Sequence, residues 1–118
     1  MEAISMRVIG KYIVDGVRYM VWDEAESMTP GARGIAMLLS SRDGVGADYL
    51  ISVSASGDIT AYDRNGEMRE TDSVMRMVAL HGSGSAISGV RIDYVEVRLT
   101  DSFARKIEDA SESMRVAV

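Results

Sequence analysis

Residues 73 to 82, SVMRMVALHG, constrain the fold of this chain more than any other stretch. Thr71, Asp72 and Ser73 are all good amino-terminal caps for a helix, and Gly82 is a good terminator. Between them Val74, Met75, Met77, Val78, Ala79 and Leu80 spread apolar side chains around most of the helical circumference. A helix that is apolar nearly all round is expected to be enclosed on most sides instead of lying on a surface. The spacing therefore predicts a central helix over 73–82.

The flanking segments read as strands. Val8 to Trp22 is rich in β-branched and aromatic residues, and Asp15-Gly16 in its middle is a hairpin signal. Tyr49, Ile51 and Val53 alternate with Leu50, Ser52 and Ser54, and Ile59 to Tyr62 returns after Gly57-Asp58. Asn65-Gly66 predicts a further hairpin leading to a brief strand over Glu67 to Glu70. Val90, Ile92 and Tyr94 then switch phase to Val95, Val97 and Leu99, the pattern of a strand broken by a bulge near Tyr94. Met114, Val116 and Val118 read as a closing strand. Helices are expected after Thr29-Pro30, with Thr29 at the cap and Pro30 at the first helical position, carrying Ile35, Leu38 and Leu39 and weakened by Gly31 and Gly34, and within Asp101 to Glu112, bearing Phe103 and Ile107. The sum is an α+β domain of seven or eight strands and two or three helices.

Composition narrows the chemistry. A chain of 118 residues has the length of one domain, with about 65% of its surface buried on folding. It has no cysteine, which removes disulfides, thiolate metal sites and cysteine nucleophiles. Its formal charge of −5 argues against nucleic-acid phosphates or an anionic membrane as partners. No apolar run has the length of a signal peptide or membrane span, so the expected location is the cytoplasm. No cofactor is implied.

Two longer strings carry a resemblance. Gly44-Val45-Gly46-Ala47-Asp48-Tyr49-Leu50-Ile51, followed by Ala61-Tyr62-Asp63-Arg64-Asn65-Gly66-Glu67 and a capped helix, resembles the amino-terminal half of the diaminopimelate epimerases. In that family a helix and a GVGAD-like turn precede two strands, an N-x-D-G hairpin and a helix whose first turn presents a catalytic cysteine. The resemblance covers nearly the whole chain, 1–118, and implies a mixed β-sheet curled into a barrel around a central helix. It also implies that a solitary half needs a companion, either its own copy in a homodimer or a second similar domain.

The family's chemistry does not carry over residue by residue. Its cysteine falls at Asp72, or at Thr71 with a different gap, and its Gly-Asn-Gly, which opens backbone amides to a substrate carboxylate, shrinks to Ser73-Val74. Asp72 would set a carboxylate where that anion should sit. The family's hairpin asparagine falls at Asp63, and one near its first hairpin falls at Val17. The survivors, Gly44, Gly46, Asp48, Asn65 and Gly66, are turn chemistry that preserves shape.

The resemblance thus implies a relative without thiol chemistry that self-associates, or binds a partner or a small amino-acid-like ligand at Ser73, Val74 and Asn65. The alternative is an isomerase or epimerase of an amino acid or related small acid, with Asp72, Asp63 or Glu67 as acid/base residues in a cleft between subunits; phenazine-pathway relatives of this fold use a carboxylate in that way. On the residues alone, the cluster Asp58, Asp63, Glu67, Glu70 and Asp72 is better explained as solvated turns plus one cap, neutralised by Arg64, Arg69 and Arg76. Its spacing matches no metal loop. His81, the only histidine, is better placed as a carboxy-terminal helix cap than as a base. The run His81 to Ser85 follows a helix and has no Lys, so it reads as a flexible connection and not a phosphate loop. Tyr12, Tyr19, Trp22, Tyr49 and Tyr62 on the strands are expected to pack in the core.

Overall fold

The computed structural model describes residues 7–24, 28–82 and 91–116. The first hairpin joins β1 (Arg7–Val14) to β2 (Val17–Asp23). Its two turn residues, Asp15 and Gly16, both have positive φ, at 50° and 79°. That combination matches the twist of the flanking strands, which is why Asp-Gly is favoured there. After β2 come α1 (Ala32–Leu39), β3 (Tyr49–Val53), β4 (Ile59–Tyr62), β5 (Met68–Arg69), α2 (Ser73–Gly82), β6 (Asp93–Leu99) and α3 (Asp101–Val116).

The strands form one mixed sheet in the order β5-β4-β3-β2-β1-β6. Every pairing is antiparallel except β2 with β3, which run parallel with α1 as their crossover. Successive side chains face opposite layers. Ile9, Met20, Trp22, Leu50 and Leu99 bury against Ile35, Leu38 and Leu39 of α1 and Ile107 of α3. On the opposite face Tyr12, Val14, Tyr19, Ile51 and Ala61 bury against Met75 and Val78 of α2. Met20, Leu38, Leu39, Leu50, Ile51 and Val78 are completely buried; each large apolar side chain so placed stabilises the fold by about 1.5–3 kcal/mol.

The α+β class and the mixed sheet are as expected, but the sheet is open and forms no barrel. Closure would require β5 to pair with β6, and these strands stand at opposite ends of the order. With only two residues, β5 is too short to close anything. The face opposite α2 is covered by α1 and α3 instead of by further strands, so the molecule has three layers: helices, sheet, helix. The helix over 73–82 forms with the expected bounds. It is not enclosed, however: it lies on one face of the sheet with Leu80 55% exposed.

Three other expectations change. The ladder between β1 and β6 runs unbroken from Ile13↔Asp93 to Arg7↔Leu99, so there is no bulge at Tyr94. The apolar phase switch arises because Tyr94 packs its ring on Tyr12 over the α2 face while Val97 and Leu99 face α1 and α3. The segment read as a closing strand is helix through Val116, since α3 runs 16 residues, past the expected end at Glu112; Val118 lies outside the described residues, as do Val90, residues 83–85 and the His81 side chain. Thr29 does not cap α1. Its Oγ1 donates to Glu24 Oε2 at 2.6 Å and lies 2.6 Å from Ser52 Oγ, and the helix starts after Gly31 without a side-chain cap.

Gly31 and Gly34 are contact residues as well as poor helix formers. The Ser111 hydroxyl of α3 donates to Ile107 O at 2.9 Å and accepts from Gly31 N at 2.9 Å. A Cβ at Gly34 would overlap that hydroxyl. Only a glycine lets α1 and α3 approach this closely. Gly34→Val is expected to lower stability by about 1–3 kcal/mol through overpacking. Ser111→Ala strands the Gly31 N–H at a cost of about 1–3 kcal/mol. Urea midpoints of the two variants against the parent check both.

Candidate functional site

The predicted site residues gather at the end of the sheet where β2 and β3 begin and α2 starts. Asp63 follows β4 and turns the chain. Its Oδ1 accepts from the backbone N–H of Asn65 at 2.9 Å and of Glu67 at 3.0 Å. Its Oδ2 accepts from Arg69 Nε at 2.7 Å and lies 2.6 Å from a terminal Arg69 nitrogen, so one oxygen faces the charged side of the guanidinium. Burial would raise the Asp63 carboxyl, but the hydrogen bonds from Glu67, Arg69 and Asn65 and the Arg69 charge outweigh it and hold the group below the usual carboxylate range. Asp63 is thus 9% exposed, ionised and surrounded by donors.

Asp72 stands immediately before α2, where Oδ1 accepts from Met75 N at 2.8 Å. This is the N-cap bond that Asp favours. Asp72, Ser73, Asn65 and Glu67 are exposed, and Val74 is half-buried against the α2-side core. Asp72 is close enough to Tyr19 for its charge, after burial, to raise the Tyr19 phenol above its ordinary value. The neighbouring Tyr49 ring stacks on Tyr19 with centroids 5.8 Å apart. Tyr19 therefore stays protonated and offers no base.

Beside this cluster stands an arginine pair built on a residue that counted only as a turn former in the sequence. Asp48, just before β3, exchanges hydrogen bonds with Arg18: Asp48 N donates to Arg18 O and Arg18 N donates to Asp48 Oδ2, both at 2.8 Å. Arg64 donates to Asp48 Oδ1 at 2.6 Å and to Ala47 O at 3.2 Å. The Arg18 guanidinium completes the pair at 3.4 Å. Burial raises Asp48, but the Arg18 hydrogen bonds and the Arg18 and Arg64 charges leave it below the usual range.

The expected arginine partners are thus redistributed. Arg69 neutralises Asp63 as expected, Arg64 reaches across to Asp48, and Arg76 donates to Thr71 Oγ1 at 3.4 Å. Arg18 and Asp48 were recognisable only as a strand residue and a turn residue; 30 positions apart in sequence, nothing local announces their contact. Among the described residues no three His, Asp or Glu side chains converge on a point that would hold a metal ion, and no helix is long and apolar enough to cross a membrane.

Chemically, this is a rim of ionised, hydrogen-bonded carboxylates locked to guanidiniums. It can hold backbone segments in register, and the exposed Asp72 and Glu67 leave it a negative outer edge. No protein-family model matches the chain, and none of the curated proteins compared with it is similar.

Asp48 and Asp63 both have depressed folded values, so their contribution to stability is present above the ordinary carboxylate range and is lost as pH falls through their own lower values. Resistance to urea is expected to fall as pH drops through and below the ordinary carboxylate range, with a shallower fall in Asp48→Asn. At neutral pH Asp48→Ala is expected to cost about 1.5–3 kcal/mol, the range for hydrogen bonds to a charged group.

Proposed function

We propose that this chain is a thiol-free relative of the diaminopimelate epimerases whose work is association, with its own copy in the first place, instead of proton transfer at an α-carbon. The observation that carries the reading is the saturation of Asp63. The buried carboxylate at the position of the family's substrate asparagine takes hydrogen bonds from two backbone N–H groups and Arg69 Nε, with a terminal Arg69 nitrogen in ion-pair contact. A general base needs a lone pair directed at substrate and a proton affinity near the working pH. A carboxylate held low by three hydrogen bonds and the Arg69 charge offers neither.

The start of α2 supports the same reading. The amide that would greet a substrate carboxylate, Met75 N, is already bonded to Asp72, and a second anion would meet that charge. What the frame retains, Asp48 and the Asn65-Gly66 turn, is engaged in holding strands together.

The test has two arms. Incubated in D2O with a panel of amino acids and followed by proton NMR, the purified chain is expected to exchange no α-proton faster than a protein-free blank. Exchange abolished by Asp72→Asn would overturn the reading in favour of carboxylate-based isomerisation. Light scattering at micromolar concentration is expected to give the mass of a dimer, and a monomer alone would remove the associative half.

A further inference from the structure

We propose that two copies of the chain join edge to edge through β6, antiparallel, with Val97 on the two-fold axis and Glu96 of each protomer opposite Arg98 of the partner subunit. The proposal rests on the associative reading above and names its surface.

The two ends of the sheet differ. At one end β5 has two residues, too few to template another strand. At the other, β6 has seven, pairs with β1 along its whole length, and has no further strand on its outer side among the described residues. A long regular edge with free N–H and C=O groups is a template for another strand unless a proline, a bulge or an inward charge blunts it. Asp93 to Leu99 contains no proline or glycine, and its ladder has no bulge. Two large apolar side chains on it stand out in solvent, Tyr94 49% and Val95 46% exposed.

Which occupant fits can be read from the strand's own pattern, because a two-fold axis through one residue dictates every other pair. An axis through Glu96 sets the two Glu96 carboxylates face to face, and one through Val95 sets Tyr94 against Glu96 and Asp93 against Val97. With the axis through Val97, Glu96 meets Arg98 twice, Val95 meets Leu99 twice and Val97 meets itself. Directly opposed residues in an antiparallel pair lie about 5 Å apart, so opposite charges there attract and like charges repel. Only the Val97 register puts opposite charge on opposite charge and apolar on apolar. In the single chain Arg98 already reaches Glu96 Oε2 along the strand at 3.1 Å, with both side chains well exposed. Pairing would trade that contact for two equivalent ones across the axis.

The faces agree as well. Val97 and Leu99 lie on the α1 and α3 side, where a surface groove of about 460 Å³ is lined by Val45, Val95, Val97, Leu99 and Phe103 with Lys11, Asp43 and Arg98 beside them. An axis perpendicular to the sheet keeps both copies' helices on the same side, so the two grooves meet at Val97 and the apolar strip becomes continuous.

Charge reversal tests this without touching the core. Sedimentation equilibrium of the full chain is expected to show a dimer. Glu96→Arg and Arg98→Glu should each raise the dimer dissociation constant at least about tenfold, and an equimolar mixture of the two variants should restore association to near the parental value. A parental chain that is monomeric overturns the associative reading itself. A parental dimer indifferent to either reversal overturns only the β6 surface and leaves that reading standing. Two weakened variants that fail to rescue each other overturn the Val97 register.

Discussion

The parallel seam between β2 and β3 is the contact on which the rest of the architecture depends. On one side of it β2, β1 and β6 form an antiparallel group, and on the other β3, β4 and β5 form a second. Nothing else in the sheet joins the two groups. Asp48 locks the start of the seam by a two-way exchange with Arg18, and Glu24 N closes the far end on Val53 O at 2.9 Å. A parallel pair cannot be made by a tight turn, so α1 must span the crossover. Its position then dictates where α3 can dock, through Ser111 against Gly31 and Gly34. On the opposite face α2 lies across the same seam, burying Met75 and Val78 over Tyr19 and Ile51.

This explains why the acidic residues at the seam behave as scaffold. A carboxylate at a strand end can satisfy several backbone donors at once, and an ionised one does so about twice as strongly as a neutral acceptor. Asp48 and Asp63 each combine backbone bonds with arginine bonds, so each links a turn to a neighbouring strand. Asp72 caps the start of α2 through Met75 N alone. The absence of cysteine and the engagement of these carboxylates have one physical consequence. The polar rim is engaged with the chain's own backbone and arginines.

The open sheet gives the molecule two dissimilar ends. Covering both faces with helices removes the need for the sheet to curl, yet leaves its edges as the places where hydrogen-bonding capacity remains. Shortening protects the β5 end; the β6 end is regular, long and patterned so that it complements itself.

Much of the local structure was legible in the residues. Asp15-Gly16 and Asn65-Gly66 specify their turns because few residues accept positive φ, and α2 appears over Ser73–Gly82 because its caps and its apolar run are contiguous. The site was only half legible. Asp72 as a cap and Arg69 as a neutralising partner depend on neighbours in the chain, whereas Arg18, Asp48 and Arg64 meet across 16 to 30 positions. Period alone misled at β6, where Tyr94 and Val97 serve opposite layers, and at Met114 to Val116, which continue α3. The sequence by itself determined which segments turn, which extend and that no thiol chemistry is available, since these depend on backbone preference and on atoms present. Tertiary structure decided that the sheet stays open and that Gly34 serves a contact. It also decided that Asp63 is spent on Arg69 and two amides, because each depends on which surfaces meet, and no local preference encodes that.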